Sequence, residues 1–253
     1  MTRLAVVGAA GRMGKTLINA IAADENATLT AATERPGADG IGVLDAGDIA
    51  GVGTLGVTLV DDLAAVVDDF DIVIDFTRPE ATLKHLEICA SAGKKMIIGT
   101  TGFSESQLEQ LHSFAESQAV VFASNFSIGV NAAFHLLGVA AEILGGDVDI
   151  DITEVHHKHK VDAPSGTALR MGEIIQEKLV NKGQDDHLNY NSIRAGDIVG
   201  EHTVMFVGAG ERIEITHRAM SRMNFATGAV RAALWLDDKS AGLFDMQDVL
   251  GLK

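Results

Sequence analysis

Hydrophobic and polar positions repeat with two different periods, and the period changes near the middle of the chain. In the first half, short apolar runs of the kind that form buried strands alternate with stretches in which apolar residues recur at helical spacing. The predicted strands span residues 3–7, 27–33, 57–60, 71–76, 95–99 and 119–123, and the predicted helices span 13–22, 80–92 and 104–117. This alternation predicts an α/β domain with a doubly wound parallel sheet that helices cover on both faces.

The second half of the chain favours a different architecture. Residues 147–155 alternate strictly between polar and apolar side chains, which predicts a strand with one buried and one exposed face. Further strands are predicted at 203–207 and 211–216, and further helices at 130–144, 166–180 and 225–236. We therefore expect a second, α+β domain with an open, mixed or antiparallel sheet whose exposed face is available to a partner.

Composition and charge narrow the classes of protein to which the chain can belong. A formal net charge of −15 over 253 residues repels phosphate backbones and anionic lipid, so we expect no nucleic-acid and no membrane partner. There is no run of about 20 apolar residues, and the N-terminal apolar stretch is too short for a signal peptide. The single cysteine, Cys89, excludes internal disulfides and cysteine-rich zinc sites. These observations together predict a cytoplasmic protein.

A glycine-rich turn lies directly between the first predicted strand and the first predicted helix. Gly8, Gly11 and Gly14 would let the backbone approach a pyrophosphate, whose charge is favoured by the N–H groups at the helix start. Ala9 occupies the position of the first glycine in the usual G-x-G-x-x-G pattern. The position of the turn favours dinucleotide binding, and a purely structural turn is the alternative.

An acidic residue stands where dinucleotide-binding domains recognise the adenosine ribose. Glu34 follows the last glycine of the turn by about 20 residues and ends the second predicted strand. Arg35 comes next, and an arginine there can accept the 2′-phosphate of NADP. The pair is therefore compatible with NADH, with NADPH or with both, and a solvated ion pair at a strand end is the alternative.

The residues that follow two later strands have the composition expected of a cofactor-binding site. Residues 99–102 read Gly-Thr-Thr-Gly and residues 123–126 read Ala-Ser-Asn-Phe. Ligands of open α/β sheets bind outside the carboxyl ends of the strands, and small or hydroxyl side chains suit a nicotinamide ribose and amide. Arg78, after another strand, is a candidate phosphate or ribose contact, or else a surface residue at a helix start.

Five consecutive titratable residues interrupt the otherwise acidic sequence, and they are His156, His157, Lys158, His159 and Lys160. A metal site is disfavoured by the two lysines, and a solvated basic turn is a second possibility. An anion pocket with acid–base capacity is the interpretation we favour, because histidine exchanges protons near neutral pH. If the preceding strand continues, His156, Lys158 and Lys160 share one face and the other two histidines share the opposite face.

A helix start follows this cationic row. Pro164 is expected to stop the strand, and Ser165 is a good N-cap for the helix that begins beside Gly166 and Thr167. Backbone N–H groups and hydroxyls at a helix start bind carboxylate or phosphate, although plain capping explains the same residues. A cationic row beside an anion-binding helix start predicts a site for a small substrate with several negative charges.

The run EVHHKHKVDAPSGTAL at residues 154–169 closely resembles the signature of the 4-hydroxy-tetrahydrodipicolinate reductase family, formerly called dihydrodipicolinate reductases. The resemblance covers the whole chain. It includes VGAAGRMG at the start, DFTRPE at 75–80, GTTGF at 99–103, NFSIGVN at 125–131 and the segment 221–236. The segment between the helix at 166–180 and Thr216 is shorter than in some members.

The resemblance implies roles for particular residues. His156 matches the family's proton donor and acceptor, and Lys160 matches its proton donor. His157 matches a substrate ligand, while Gly166 and Thr167 match the residues that hold a substrate carboxylate. The positions that match cofactor contacts are Gly8, Ala9, Ala10, Gly11, Arg12, Met13, Glu34, Arg35, Gly99, Thr100, Thr101, Ala123, Ser124, Asn125 and Phe126. No metal is implied.

The resemblance also implies the activity and the assembly. The family reduces a cyclic imine dicarboxylate with NADH or NADPH in lysine and diaminopimelate biosynthesis. It implies a Rossmann-like dinucleotide-binding domain at 1–126 and 222–253, a substrate-binding and oligomerisation domain at 127–221, and a homotetramer. Two alternatives remain at this point, namely a different dehydrogenase on the same scaffold and a non-catalytic dinucleotide sensor.

Overall fold

Strands and helices form at nearly all the positions that the hydrophobic pattern predicts. The structure, a computed structural model, describes residues 1–180 and 188–253. The strands are β1 (Thr2–Val7), β2 (Ala27–Thr33), β3 (Leu59–Val60), β4 (Ile72–Asp75), β5 (Lys95–Ile98), β6 (Ala119–Phe122), β7 (Asp149–His156), β8 (Asn189–Arg194), β9 (Gly200–Val207), β10 (Arg212–Ala219) and β11 (Gly242–Phe244). The α-helices are α1 (Arg12–Ala22), α2 (Ala46–Ala50), α3 (Pro79–Ala92), α4 (Glu105–Ala115), α5 (Ile128–Leu144), α6 (Gly166–Val180), α7 (Met223–Leu236) and α8 (Met246–Leu250).

Seven strands form one parallel sheet in the order β11-β6-β5-β4-β1-β2-β3. The sheet belongs to a unit, here called unit 1, that consists of Met1–Ser127 and Met223–Lys253. Strand order reverses between β1 and β4, and ligands of such sheets bind at this switch point, outside the carboxyl ends of the strands. The predicted doubly wound, Rossmann-like sheet is confirmed.

The central strands of unit 1 are buried on both faces, as their apolar sequences predict. Leu4, Val6, Ile74 and Ile97 have no exposed surface. Cys89 lies in the same core, where burial raises the pKa of its thiol to about 12, so this cysteine is a packing residue.

The last segment of the chain is built into unit 1 through a close backbone contact. Strand β11 pairs with β6, and helix α7 presents Gly228 to the carbonyl oxygen of Phe126. A Cβ atom on Gly228 would lie 1.8 Å from that oxygen, so only glycine permits the observed approach.

The remaining segment, Ile128–Arg222, forms unit 2 around a sheet in the order β10-β9-β7-β8. Pairs β10/β9 and β9/β7 are antiparallel and β7/β8 is parallel, so the predicted mixed sheet is confirmed. Alternate residues of β7 and β9 point into the core with helices α5 and α6, and they include Ile150, Ile152, Val204 and Phe206. The other face of the sheet carries the polar positions of the alternating pattern.

Among the strands and α-helices of the described residues, four were not predicted from the sequence, and each has an identifiable reason. Strand β8 is polar and mostly exposed, so it has no apolar alternation to reveal it. Strand β11 is too short for a periodic signal, and helices α2 and α8 have only five residues each. The strand predicted at 57–60 shrinks to Leu59–Val60, because only these residues pair with β2.

One helical stretch of the described residues, Ile128–Asp147, is long and apolar enough to cross a membrane by length and composition. The search for an unbroken apolar run misses it because polar residues such as Asn131 and Glu142 interrupt the stretch. Core helices have the same composition. Phe134 and Leu137 pack within the core of unit 2, so α5 behaves here as a core helix.

Replacement of Gly228 by alanine tests the contact that joins the C-terminal segment to unit 1. We expect Gly228→Ala to lower the free energy of unfolding by about 3 kcal/mol, because the obstructing atom belongs to the backbone and cannot rotate away. Urea unfolding monitored by circular dichroism measures this. Thr227→Ala, an exposed neighbour on the same helix, is the control and should unfold like the wild type. Equal stability of the two variants would contradict the close packing.

Candidate active site

The glycine turn after β1 leaves a helix start open to an anion. Gly8 has a φ of +66°, and a Cβ on Gly14 would lie 2.2 Å from the carbonyl oxygen of Gly8. Gly11 caps α1 without any side-chain hydrogen bond, and the first turn of the helix contains no acidic residue. The first N–H groups of α1 are therefore not occupied by a capping side chain, which fits a pyrophosphate.

Glu34 lies against the glycine turn. Its carboxylate accepts one hydrogen bond from the N–H of Ala10 at 3.1 Å and another from the N–H of Arg35 at 3.0 Å. The half-buried Glu34 thus stands at the open end of β2, and Arg35 beside it is exposed. The glycine turn and Glu34, which the sequence predicts to bind the same dinucleotide, therefore lie in contact.

A fully buried carboxylate joins the ends of β4 and β5. Asp75 accepts hydrogen bonds from the N–H of Thr77 at 2.9 Å, from the Thr77 hydroxyl at 2.6 Å and from the Thr100 hydroxyl at 3.2 Å. Its other oxygen contacts Nδ1 of His85 at 2.7 Å. The Thr82 hydroxyl donates to Thr100 at 2.9 Å. These contacts fix the loop of residues 99–101, and sequence reasoning named only Thr100 among them.

Aromatic packing fixes the neighbouring strand ends. The Phe76 ring lies so close to Gly99 that a Cβ there would be 2.2 Å from it, and it packs on the Phe126 ring at 5.4 Å between centroids. Phe126 is buried as a whole residue, and its carbonyl oxygen faces Gly228. Ser124 is exposed, and the Asn125 side chain accepts the N–H of Ser127. Arg78 is exposed at the start of α3.

In unit 2, the strand does not continue through the cationic row, so the condition for shared strand faces is not met, and the expectation that Pro164 stops the strand is wrong. Strand β7 ends at His156, whose carbonyl accepts the N–H of Ala195 at the end of β8, and the chain then turns. The N–H of Lys160 donates to the carbonyl of His157 at 3.1 Å, which closes the turn. His156 is buried and Lys158 is exposed, although a continuing strand would place both on one face, so alternate residues of the row do not share strand faces.

Glu154 holds the side chain of His156. Its carboxylate contacts Nδ1 of His156 and forms a bidentate ion pair with Arg194, at 2.8 and 2.7 Å. Burial alone would raise the pKa of Glu154, but hydrogen bonds from Arg194, Ser192 and His156 outweigh burial and lower the pKa to about 2. Burial lowers the pKa of His156 even though Glu154 opposes this. His156 is thus a largely neutral imidazole at neutral pH.

The start of helix α6 lies beside this pair. The Ser165 hydroxyl accepts the N–H of Ala168 at 3.2 Å, which confirms the predicted N-cap. The Ser165 N–H donates to Glu154 at 3.2 Å, and its hydroxyl contacts Nε2 of His202 at 3.1 Å. Burial lowers the pKa of His202 to about 3, so this ring is neutral. Gly166 is exposed, and a Cβ there would meet no atom within 4 Å.

Lys160 completes the group of residues around the turn. Its ammonium group forms an ion pair with Asp162 at 2.9 Å and is mostly buried. Lys158 is exposed, whereas His157 is half-buried. Among residues 1–180 and 188–253, no three His, Cys, Asp or Glu side chains are placed to hold a metal ion.

Comparison with known proteins identifies the family. Residues 2–126 match the family model described as dihydrodipicolinate reductase, N-terminus, and residues 129–250 match the one described as dihydrodipicolinate reductase, C-terminus. The chain belongs to the dihydrodipicolinate reductase family. A protein of Hahella chejuensis named 4-hydroxy-tetrahydrodipicolinate reductase is 53% identical, over all of both chains.

Solved structures share the fold of this dihydrodipicolinate reductase family member. The dipicolinate-bound dihydrodipicolinate reductase from Paenisporosarcina sp. TG-14 matches with a TM-score of 0.79 and 23% identity, and 98% of each chain is covered. An amine dehydrogenase from Mycobacterium smegmatis matches with a TM-score of 0.60 and 15% identity, over 96% of this chain and 94% of that one. Identity this low shows the common fold alone.

The structure adds residues that sequence reasoning did not assign to the site. Glu154 stood within the signature without a role, and Arg194 and His202 lie outside it. Asp75 and His85 likewise had no assigned role beneath the candidate cofactor loop. Most of these residues are distant in sequence and come together only in the folded chain. One pair could have been recognised from the sequence, because Glu154 and His156 are two residues apart and therefore share one face of a strand.

Removal of the Asp75 carboxylate tests the network beneath the candidate cofactor loop. We expect Asp75→Ala to lower the free energy of unfolding by at least about 3 kcal/mol, because several buried donors lose their acceptor at once. Asp75→Asn should cost clearly less, since its amide can still accept at one atom and pair with His85 at the other. Urea unfolding compares the variants, and similar losses from both would contradict the network.

Proposed function

We propose that this protein reduces the cyclic imine dicarboxylate derived from 4-hydroxy-tetrahydrodipicolinate to tetrahydrodipicolinate, in lysine and diaminopimelate biosynthesis. NADH or NADPH supplies the hydride. The observation that carries the proposal is the arrangement around Glu154, which contacts His156 through one oxygen and the start of α6 through the other. An acid–base group and an anion-binding helix start are thereby held together, as reduction of a small dianion requires.

Unit 1 supplies the cofactor contacts in this proposal. The turn from Gly8 to Met13 contacts the pyrophosphate, chiefly at the start of α1, because the N–H groups of Ala9, Ala10 and Gly11 already donate within unit 1. Glu34 binds the ribose hydroxyls. Arg35, being exposed beside Glu34, is suited to the additional phosphate of NADPH. The remaining contacts are assigned to Gly99, Thr100, Thr101, Ala123, Ser124, Asn125 and Phe126.

Unit 2 supplies the substrate contacts and the proton. Gly166 and Thr167 hold one substrate carboxylate at the open start of α6, and His157 adds a further substrate contact. Hydride addition leaves negative charge on the conjugated ring, which a proton must neutralise. Lys160 offers this proton from its ammonium group, and His156 exchanges protons as a largely neutral imidazole.

The assembly and location follow the same reasoning. We propose a homotetramer built through unit 2, because the face of its sheet away from α5 and α6 contains partly exposed Val155 and Met205 beside polar residues. Such a face is suited to a second copy of the chain. The acidic net charge agrees with a cytoplasmic protein that binds neither nucleic acid nor membrane.

The first test measures oxidation of NADH and NADPH with substrate generated in situ by the preceding synthase. We expect His156→Gln and Lys160→Ala to lower kcat about 10²- to 10⁴-fold, the usual contribution of general acid–base groups. Cofactor affinity should not change, because neither residue belongs to unit 1. His159→Gln, an exposed histidine of the same turn, is the matched control and should keep wild-type kcat.

The same assay separates the alternative functions. Absence of turnover by the wild type would refute the proposed reaction and leave a different dehydrogenase or a dinucleotide sensor. Wild-type kcat in both His156→Gln and Lys160→Ala would refute the assigned proton transfer while leaving the reaction intact.

Replacement of Gly166 by alanine tests the proposed carboxylate contact. A Cβ there meets no protein atom within 4 Å, so Gly166→Ala should fold with wild-type stability. We expect the added methyl to obstruct the substrate carboxylate and raise the substrate KM about tenfold, equivalent to about 1.4 kcal/mol. The KM for NADH should stay constant. An unchanged substrate KM would remove Gly166 from the substrate site.

A further inference from the structure

Glu154 is the point at which three elements of unit 2 meet. It lies on β7 with 1% of its surface exposed. One oxygen accepts from an Arg194 nitrogen on β8 and contacts Nδ1 of His156. The other oxygen accepts from the second Arg194 nitrogen and from the N–H of Ser165, directly before α6. A single buried carboxylate therefore links the proton-exchanging imidazole to the helix start assigned to the substrate.

The ionisation of Glu154 decides which nitrogen of His156 carries hydrogen. Because Arg194 and the other donors hold the pKa of Glu154 at about 2, its carboxylate is ionised throughout the neutral range and acts only as an acceptor. The facing atom, Nδ1 of His156, must then be protonated. In the neutral imidazole this leaves the lone pair on Nε2, so Nε2 is the atom able to gain and release a proton.

The surroundings leave His156 little freedom to turn. The His202 ring packs edge-on against it, with centroids 5.1 Å apart. On the neighbouring strand, a Cβ on Gly200 would lie 3.0 Å from Nε2 of His156, so the absence of a side chain at that position makes room for the imidazole. The carboxylate thus fixes one end of the ring while packing limits its rotation.

We propose that Glu154 is a positioning residue for the proton transfer, which fixes His156 as its Nδ1–H tautomer with Nε2 as the exchanging atom and holds the start of α6 beside it. Arg194 serves this function indirectly, because it keeps the carboxylate ionised and in place. The inference rests on the proposed function for its catalytic consequence, but the tautomer can be measured without substrate.

Three charged groups act on the protonation of His156, and a fourth titratable group, His202, faces it. Burial lowers its pKa, Glu154 raises it, and the cations Lys160 and Arg194 lower it. His202 lies against the ring but is neutral, since its own pKa is lowered to about 3. Glu154 is therefore the group that favours the imidazolium form of His156. Removal of the negative charge of Glu154 should lower the pKa of His156 further.

The test is nitrogen-15 NMR of histidine-labelled full-length protein without substrate, in which the signal absent from His156→Gln identifies His156. In the wild type we expect Nδ1 to be protonated and Nε2 to be unprotonated at neutral pH. A dominant Nε2–H tautomer in the wild type would overturn the proposal. This result does not depend on turnover, so it stays separate from any failure of the proposed reaction.

Two single variants then separate charge from packing. In Glu154→Gln the tautomer preference should weaken, and the His156 titration midpoint should fall by about one pH unit or more. In Arg194→Gln, which removes a nearby cation, the midpoint should rise. An unchanged midpoint in Glu154→Gln, or shifts of the same sign in both variants, would contradict the assignment, because mere loosening of the fold cannot move the midpoint in opposite directions.

The double variant Glu154→Gln/Arg194→Gln controls for an unpaired guanidinium and provides a folded sample if the single glutamate variant does not fold. We expect kcat in Glu154→Gln to fall about 10²-fold or more, with an unchanged KM for NADH. The double variant should regain stability in urea but not kcat. Recovery of wild-type kcat in the double variant would show that a stray charge caused the loss, and would overturn the positioning role.

Discussion

Each unit buries one carboxylate completely at or near the end of a strand, and each candidate site is organised by the donors that this charge requires. A buried carboxylate is tolerated only when hydrogen bonds or cations replace its water. Asp75 receives donors from its own loop, from the next strand end and from α3. Glu154 receives them from β8 and from the residue before α6. Within the described parts of the chain, these are the only buried acidic side chains.

The two carboxylates hold loops whose packing is limited. Turns rich in Gly, Ser and Thr contribute little apolar surface, so contacts such as that of Phe76 with Gly99 define their conformation only in part. A charge at the strand end adds to this packing, because every donor that moves away leaves the buried anion without a hydrogen bond. The strands of each unit are rigid, and the hydrogen bonds of the buried carboxylate tie to them the polar loops that are proposed to bind ligands.

Sequence reasoning predicted the elements whose signal is local. Strand β2 and helix α6 have their predicted boundaries, and the glycine turn lies between β1 and α1 as expected. The failures involve partners distant in sequence. The cationic row was expected to continue a strand, but β7 ends at His156, where pairing with β8 also ends, and β8 is too polar to be recognised. Asp75 and Thr100 are 25 residues apart, and Glu154 and Arg194 are 40 apart.

In this protein of acidic net charge, the cations near His156 are mostly paired with carboxylates. Two of the three cations near His156 are paired, because Arg194 is neutralised by Glu154 and Lys160 forms an ion pair with Asp162, whereas Lys158 is exposed. The start of α6, where Glu154 already accepts the N–H of Ser165, is the second group of donors proposed for the substrate. A small dianion would compete with the exposed Asp162 for the ammonium group of Lys160, whereas the buried Glu154 would remain with its own partners. In the proposed site, substrate binding would thus rearrange the Lys160–Asp162 pair and leave intact the buried pair of Glu154 and Arg194, which is proposed to orient the imidazole.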